Sequence, residues 1–446
     1  MKCLTTRRNL ALISAASLML TALSACSSKQ VPDSKTNNTL VQTTSASQAT
    51  SSEAKPAGKT VTLNFWHHYS AQSKENETLM NVLIPEFEKE NPGYKINAVS
   101  HDWAGLHDKL LISASSKTLP DVARLDIAWV PELQKLNVLA PIDKEQVDFK
   151  QVKDSLLESA ISTGKIKDNY YALTLNTNTK ILFYNVEALE KAQVKAPATM
   201  AELVTAAAKL SGKNANGQQV WALNEPALSG WNVLPWIWSN GGDICDANNT
   251  KASGILNGPA TVKAVQMLKD LYANKQFTGF NSGDIPMTDG FGTGRYLMLL
   301  EGPWKTAELK GAYPDFKYAT CPIPKGEKGS VSVLGGEDIA MFNTANKEGA
   351  WKFMKFMTSE FAQTEMAKCG QIPVNNKVLA SDVVKQADYA PFLEALKTAK
   401  ARPQVATWTE IDNALQSTMT AIIKDGQDVQ SSLDQLAKQV DELLAK

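Results

Sequence analysis

From Val61 onward the hydrophobic positions fall into two periods that take turns along the chain. Val61-Thr-Leu-Asn-Phe-Trp66 alternates apolar and polar residues, the two-residue period of a strand, and 94–99 and 121–127 read the same way. Between them, 75–90, 106–115 and 131–137 carry apolar residues three and four apart, which puts them on one side of a helix. Strands that alternate with helices imply a mostly parallel sheet with helices on both faces, because parallel neighbours need a long, usually helical, crossover. The later half is richer in helical spacing, at 200–210, 259–273, 348–357, 408–424 and 429–444. In the last of these, Leu433, Leu436, Val440 and Leu444 form a stripe behind Asp428, whose carboxylate suits the free N–H groups of a first turn. The 446 residues exceed what one core fills, since single cores stop growing near about 250 to 300 residues, so more than one domain is expected.

The first 59 residues follow a different pattern. Lys2, Arg7 and Arg8 precede an uncharged, mostly apolar run from Leu10 to Leu23 that ends in Leu23-Ser24-Ala25-Cys26. A bilayer span needs about 20 apolar residues, so this run is too short, and its basic head and small-residue end mark residues 1–25 as an export signal. The Cys at the cleavage point resembles the lipobox of bacterial lipoproteins, which implies acylation of Cys26 and a lipid anchor on the extracytoplasmic face of the cell membrane. Residues 26–59 then turn to Ser, Thr, Gln, Asn, Ala and Lys with no aromatic residue. Such a stretch cannot offset its ordering entropy and reads as a flexible tether, its ends roughly 30 Å apart as a random coil.

Charge and reactive side chains exclude several functions. Removing residues 1–25 leaves 43 basic against 46 acidic residues, a formal charge of −3. Nucleic acid and anionic lipid surfaces are poor partners for such a chain, because both are held by concentrated Lys and Arg. Cys245, Cys321 and Cys369 are odd in number and widely spaced, and read as buried or half-buried thiols without an essential disulfide. The four His, at 67, 68, 101 and 107, lack the pairing of a zinc site. Gly290-Phe-Gly-Thr-Gly-Arg295 lacks the Gly-Lys-Ser/Thr ending of a phosphate loop, and no Gly-x-Ser-x-Gly elbow occurs. No cofactor or metal is expected.

Specific segments carry a resemblance. Pro120-Asp-Val-Ala-Arg-Leu-Asp126-Ile-Ala-Trp129 with Leu139-Ala-Pro-Ile-Asp143, the stretch Asn176-Thr-Asn178-Thr-Lys-Ile-Leu-Phe-Tyr184-Asn185, Phe291-Gly-Thr-Gly-Arg-Tyr-Leu-Met298 with Glu301-Gly-Pro-Trp304, and Leu334-Gly-Gly-Glu337-Asp-Ile-Ala340 occur in that order. Together they resemble the family 1 extracellular solute-binding proteins, the maltose-binding-protein-like group, over residues 61 to 440. The resemblance implies an α/β, two-lobed, periplasmic-binding-protein-like fold with a hinge and an interlobe ligand cleft. Lobe one would comprise 60–176 with 332–374, and lobe two 177–331 with 375–446. It also implies a monomeric receptor, not an enzyme, that closes on a sugar and delivers it to the permease subunits of an ABC importer.

The residues themselves suit a sugar, whose C–H faces pack on aromatic rings and whose hydroxyls meet short polar side chains. Ligands of open α/β sheets lie at the carboxyl ends of strands. Trp66 and His67 close the first strand there, Asp126 and Trp129 close another, and Asn176 and Asn178 lie in the expected crossover. Glu225 and Trp231 fall in a Pro/Gly-interrupted stretch, Trp304 follows Gly302-Pro303, Glu337 lies on the return strand, and Trp408 opens a late helix. Trp304 matches a family position that stacks on sugar. Trp103, Trp221, Trp236, Trp238 and Trp351 read as core residues, the usual fate of Trp. A secreted glycoside hydrolase, which needs two carboxylates at a defined separation, and a metal-binding receptor are the alternatives.

Overall fold

The computed structural model describes residues 60–446 except Ser73 and Ala387. The expected export signal at 1–25, Cys26 and the expected tether at 26–59 lie outside the described residues. Among the described residues no helix is long and apolar enough to cross a membrane.

The chain builds two sheets in turn. It lays down β1 (Val61–His67), β2 (Tyr94–Ser100), β3 (Val122–Asp126) and β4 (Leu173–Asn178) in a first sheet. It then crosses to a second sheet with β5 (Ile181–Asn185), β6 (Gln219–Asn224), β7 (Phe277–Thr278), β8 (Tyr296–Glu301) and β9 (Tyr318–Cys321). It returns to the first with β10 (Val333–Met341) and β11 (Ile372–Pro373), and β12 (Lys400–Ala401) later joins β10. The spatial orders are β11-β4-β10-β3-β1-β2 and β7-β6-β8-β5-β9. Only part of each sheet is parallel, contrary to the expectation of mostly parallel strands. β1 is parallel to β2 and β3, but β10 runs antiparallel to both β3 and β4. The reason is connectivity: β10 enters from the other lobe and not through a helical crossover on its own sheet.

Alternation along the strands fills a core on each face. In β5, Ile181 and Phe183 join one apolar cluster with Phe291 and Phe392, while Leu182 between them joins another with Leu223 and Trp236. In β1, Leu63, Phe65 and His67 point into one cluster, leaving Trp66 on the opposite face.

The helices that matter for the site are α1 (Trp103–Ser116), α2 (Val130–Lys135), α3 (Gly230–Ser239), α4 (Trp304–Ala312), α5 (Trp408–Ile423) and α6 (Val429–Leu444). α1 begins earlier than its apolar spacing suggests because Asp102 caps it, accepting a bond from the Gly105 N–H at 2.9 Å. α6 has the expected bounds, with Asp428 accepting from Ser431 N–H. The expected helix at 75–90 is helical but changes pitch through a π turn at Leu79–Leu83. Pro85 has no N–H to give, and the Ile84 N–H reaches back five residues to the Leu79 carbonyl.

The crossings between the sheets are tied to one another. Thr179 and Lys180, between β4 and β5, are fully buried. Thr179 Oγ1 donates to the Val333 carbonyl at 2.8 Å, Ser332 Oγ donates to the Lys180 carbonyl at 2.7 Å, and the Lys400 N–H donates to the Ser332 carbonyl at 2.8 Å.

Candidate functional site

A cleft of about 730 Å³ opens where the two lobes meet. Its floor in lobe one is made by the ends of β3 and β4 and the first half of β10, whose register sets Glu337 opposite both Asp126 and Asn176, and Gly335 opposite Asn178. Gly336 is at φ +148°, and a Cβ there would lie 2.4 Å from the Asn176 carbonyl oxygen, so β10 can approach β4 this closely only as glycine.

Two ion pairs stiffen this floor. The Arg124 guanidinium lies 3.0 Å from Glu337 Oε2 and over the Tyr69 ring, while Asn176 Nδ2 donates to the same carboxylate. Burial alone would raise the Glu337 carboxyl, but Arg124, His68 and Asn176 together hold it at about 2. Arg402, just beyond β12, donates to Asp126 Oδ1 at 2.7 Å, and Asp126 also accepts from the Ala128 N–H and the Trp103 indole. His68 stands 3.8 Å from Glu337, and burial together with Arg124 lowers its pKa.

Lobe two supplies the aromatic wall. Trp231, in the first turn of α3, and Trp304, opening α4, stack at 6.3 Å between ring centroids with planes 29° apart. Both arrangements depend on glycine. A Cβ on Gly302 would sit 2.3 Å from the Trp304 ring, and one on Gly335 would sit 2.6 Å from Trp231 and 2.1 Å from Asn178 Oδ1. Beneath Trp231, Lys180 Nζ donates to Glu225 at 2.7 Å and to Asn232 at 2.8 Å, with its nitrogen 5.8 Å from the Trp231 ring centroid.

A third wall joins α1 to α5. Thr409 donates to Glu132, which also contacts His107 at 2.9 Å, and Asp412 accepts from the Gly230 N–H. Burial raises the Asp412 carboxyl.

Buried polar side-chain atoms without a hydrogen-bond partner mark the cleft. His68 Nδ1 and Nε2, Arg124 Nε, Asn176 Oδ1, Asn178 Oδ1 and Arg402 Nε are such atoms, and all belong to cleft-lining residues. Folded chains rarely leave such groups unpaired, so their convergence on one cavity points to a polar ligand.

The family model for bacterial extracellular solute-binding proteins matches residues 83–391. The chain belongs to that family. A binding protein of Brucella abortus is 26% identical over 373 residues, which cover 81% of this chain and 88% of that protein. The diacetylchitobiose-binding protein DasA of Streptomyces coelicolor is 22% identical, over 77% of this chain and 81% of the relative. Among solved structures, the GacH receptor of Streptomyces glaucescens, determined unliganded and with acarbose, superposes with a TM-score of 0.79 at 24% identity, covering 87% of this chain and all of that one. This likeness establishes the two-lobed fold.

In this solute-binding protein the candidates Asp126, Trp129, Asn176, Asn178, Trp231, Trp304, Glu337 and Trp408 all line the cleft. Trp408 reaches it while buried against the start of α3. Three candidates do not line it. His67 follows the β1 alternation into the core, stacked on Phe65 at 5.3 Å, its Nδ1 accepting from the Tyr69 N–H. Trp66 faces the other side, with Lys109 over its ring. Glu225 is consumed by Lys180, below the cleft. Conversely, Trp103 is no core residue: it is 45% exposed and lines the cleft. His68, which closes the first strand beside His67, lines it, and so do Arg124, Arg402, Asp412, Asn413 and Gln416, which the sequence does not single out. A buried Arg inside the apolar run of β3 is a signal that could have been read, since a guanidinium there demands a carboxylate. Arg402 and the α5 face carry no such mark.

Proposed function

We propose that this protein captures an uncharged oligosaccharide between its lobes outside the cytoplasm and hands it, chemically unchanged, to an ABC importer. The observation that carries this reading is the pairing of walls: the Trp231 and Trp304 rings on lobe two share one cavity with the unpartnered polar atoms of His68, Asn176 and Asn178 on lobe one. Rings cover the apolar faces of a sugar, and the polar atoms meet its hydroxyls.

Charge favours a neutral ligand over an acidic or phosphorylated one. The lining holds the guanidinium groups of Arg124 and Arg402, and each is already bonded to a carboxylate. A phosphate site needs free cations, and neither guanidinium of this lining is left without a carboxylate. We further propose that Cys26 bears the lipid anchor, that the intervening residues let a monomeric receptor reach its transporter, and that the cell is of Gram-positive type. The receptor role, as against hydrolysis, requires that sugar be recovered intact.

A thermal-shift screen of neutral, acidic and phosphorylated oligosaccharides, with chromatography of the recovered sugar, tests the proposal. A neutral oligosaccharide at 100 times its Kd should stabilise the fold by about 2.7 kcal/mol. Stabilisation by phosphorylated compounds alone, or release of shorter sugars, would overturn it.

A further inference from the structure

Helices that belong to different cores meet through their side chains beside the cleft. α5 packs in lobe two, where Trp408, Ile411 and Leu415 share a cluster with Leu223 and Trp236. α1 and α2 pack in lobe one, where Leu106 and Leu133 share a cluster with Ala123 and Leu125 of β3. Between them Thr409 Oγ1 of α5 donates to Glu132 Oε2 of α2 at 2.9 Å. Both partners are side chains, so this bond can break and re-form while the two helices stay intact.

Each partner is held ready by its own lobe. Glu132 Oε2 also contacts His107 Nε2 at 2.9 Å, and the His107 ring is buried with its centroid 5.0 Å from that of Trp129. Trp129 directly precedes α2, whose first turn carries Glu132. Carboxylate, imidazole and indole therefore form one unit, and these contacts are internal to lobe one. In lobe two, Trp408 is buried beside Thr409, and Asp412 on the next turn accepts from the Gly230 N–H. Preorganised partners lose little side-chain entropy when they meet, and a hydrogen bond to a charged carboxylate then weighs about tenfold or more in an equilibrium.

We propose that Thr409 and Glu132 form a latch that draws the lobes together before any ligand binds, so that the unliganded protein divides between an open arrangement and a latched one. The latch rests on the two-lobed fold and is independent of what the cleft holds. No ligand atom takes part in it. A ligand then completes a closure that the latch has begun, and the cost of gathering the lobes is partly met in advance.

Small-angle scattering of the full chain without ligand tests the latch by itself. Thr409→Val, which keeps the branched shape and loses the donor, should move the ratio of latched to open protein about tenfold toward open and so enlarge the radius of gyration. Thr409→Ala should do the same. Thr409→Ser, which keeps the hydroxyl, should return the parental radius. Thr409 is only half-buried, so the denaturant midpoints of the three variants should stay close to the parent's, and an enlarged radius then reports opening and not unfolding. A parental radius in both Thr409→Val and Thr409→Ala overturns the latch, as does a Thr409→Ser radius as large as theirs. Because no sugar is present, failure of the saccharide reading would leave this outcome unchanged.

Discussion

Trp304 illustrates how one side chain can be assigned by what surrounds it. Its ring folds across Gly302, where a Cβ would lie 2.3 Å away, and faces Trp231 inside the cleft, not a lobe core. Trp304→Ala should therefore cost about 2 kcal/mol or more in sugar affinity, some thirtyfold, and less in folding stability. A core Trp would instead cost roughly 3 to 5 kcal/mol of stability. Titration and denaturant unfolding of the same variant distinguish the two, and a badly destabilised protein with parental affinity would refute the stacking role. His67 shows the opposite case. It is 1% exposed, and burial, reinforced by Arg124, lowers its pKa to about 3. The unfolded chain then binds a proton near pH 6.5 that the folded chain refuses, so stability is complete above that pH and falls as pH drops toward 3. Relative to the parent, His67→Phe should gain about 2 kcal/mol between pH 7 and pH 5 by urea unfolding. An unchanged difference between the two pH values would show that His67 does not titrate in this way.

At the scale of elements, the crossing between β4 and β5 is tied to the aromatic wall of the cleft. Lys180 is 0% exposed and Glu225 1%, and with Asn232 they brace the first turn of α3, which carries Trp231. Burial pushes the Glu225 carboxyl up to about 8 against the opposing pull of Lys180. Removing the cation alone deprives Glu225 Oε2 and Asn232 Oδ1 of their donor, while Glu225 Oε1 keeps the Trp236 indole. Lys180→Met should cost about 3 kcal/mol of stability, and Lys180→Met combined with Glu225→Leu should cost less than the single change. Denaturant midpoints of the single and double variants check this, and simple additivity would rule out the coupling. Apolar spacing predicts helices such as α6 well, because a stripe needs only local sequence. It could not show that β10 runs antiparallel or that 75–90 contains a π turn, since the first depends on which sheet the chain left and the second on where Pro85 sits in a long helix.

For the whole molecule, a ligand held between two lobes should draw them together. Small-angle scattering at saturating sugar should show a smaller radius of gyration than without sugar, and an identical profile would count against hinged capture. Cys26→Ala should keep sugar affinity while shifting the protein from membrane to soluble fractions, since the described fold begins only at residue 60. Continued membrane partition would refute the lipid anchor. By itself the sequence determined the α/β class, most helix positions, the extracellular solute-binding family and the glycine-framed Trp304, because each is written in local period or in contiguous motif. The tertiary structure alone decided that His68 and not His67 faces the cleft, that Glu225 serves Lys180, and that Trp103, Arg402 and the polar face of α5 share one cavity. Arg402 is 276 residues from the Asp126 it bonds, and such a meeting depends on three chain crossings that converge at Ser332. A one-dimensional pattern carries the direction of a side chain only relative to its own element, whereas a cleft is defined by elements that meet after folding.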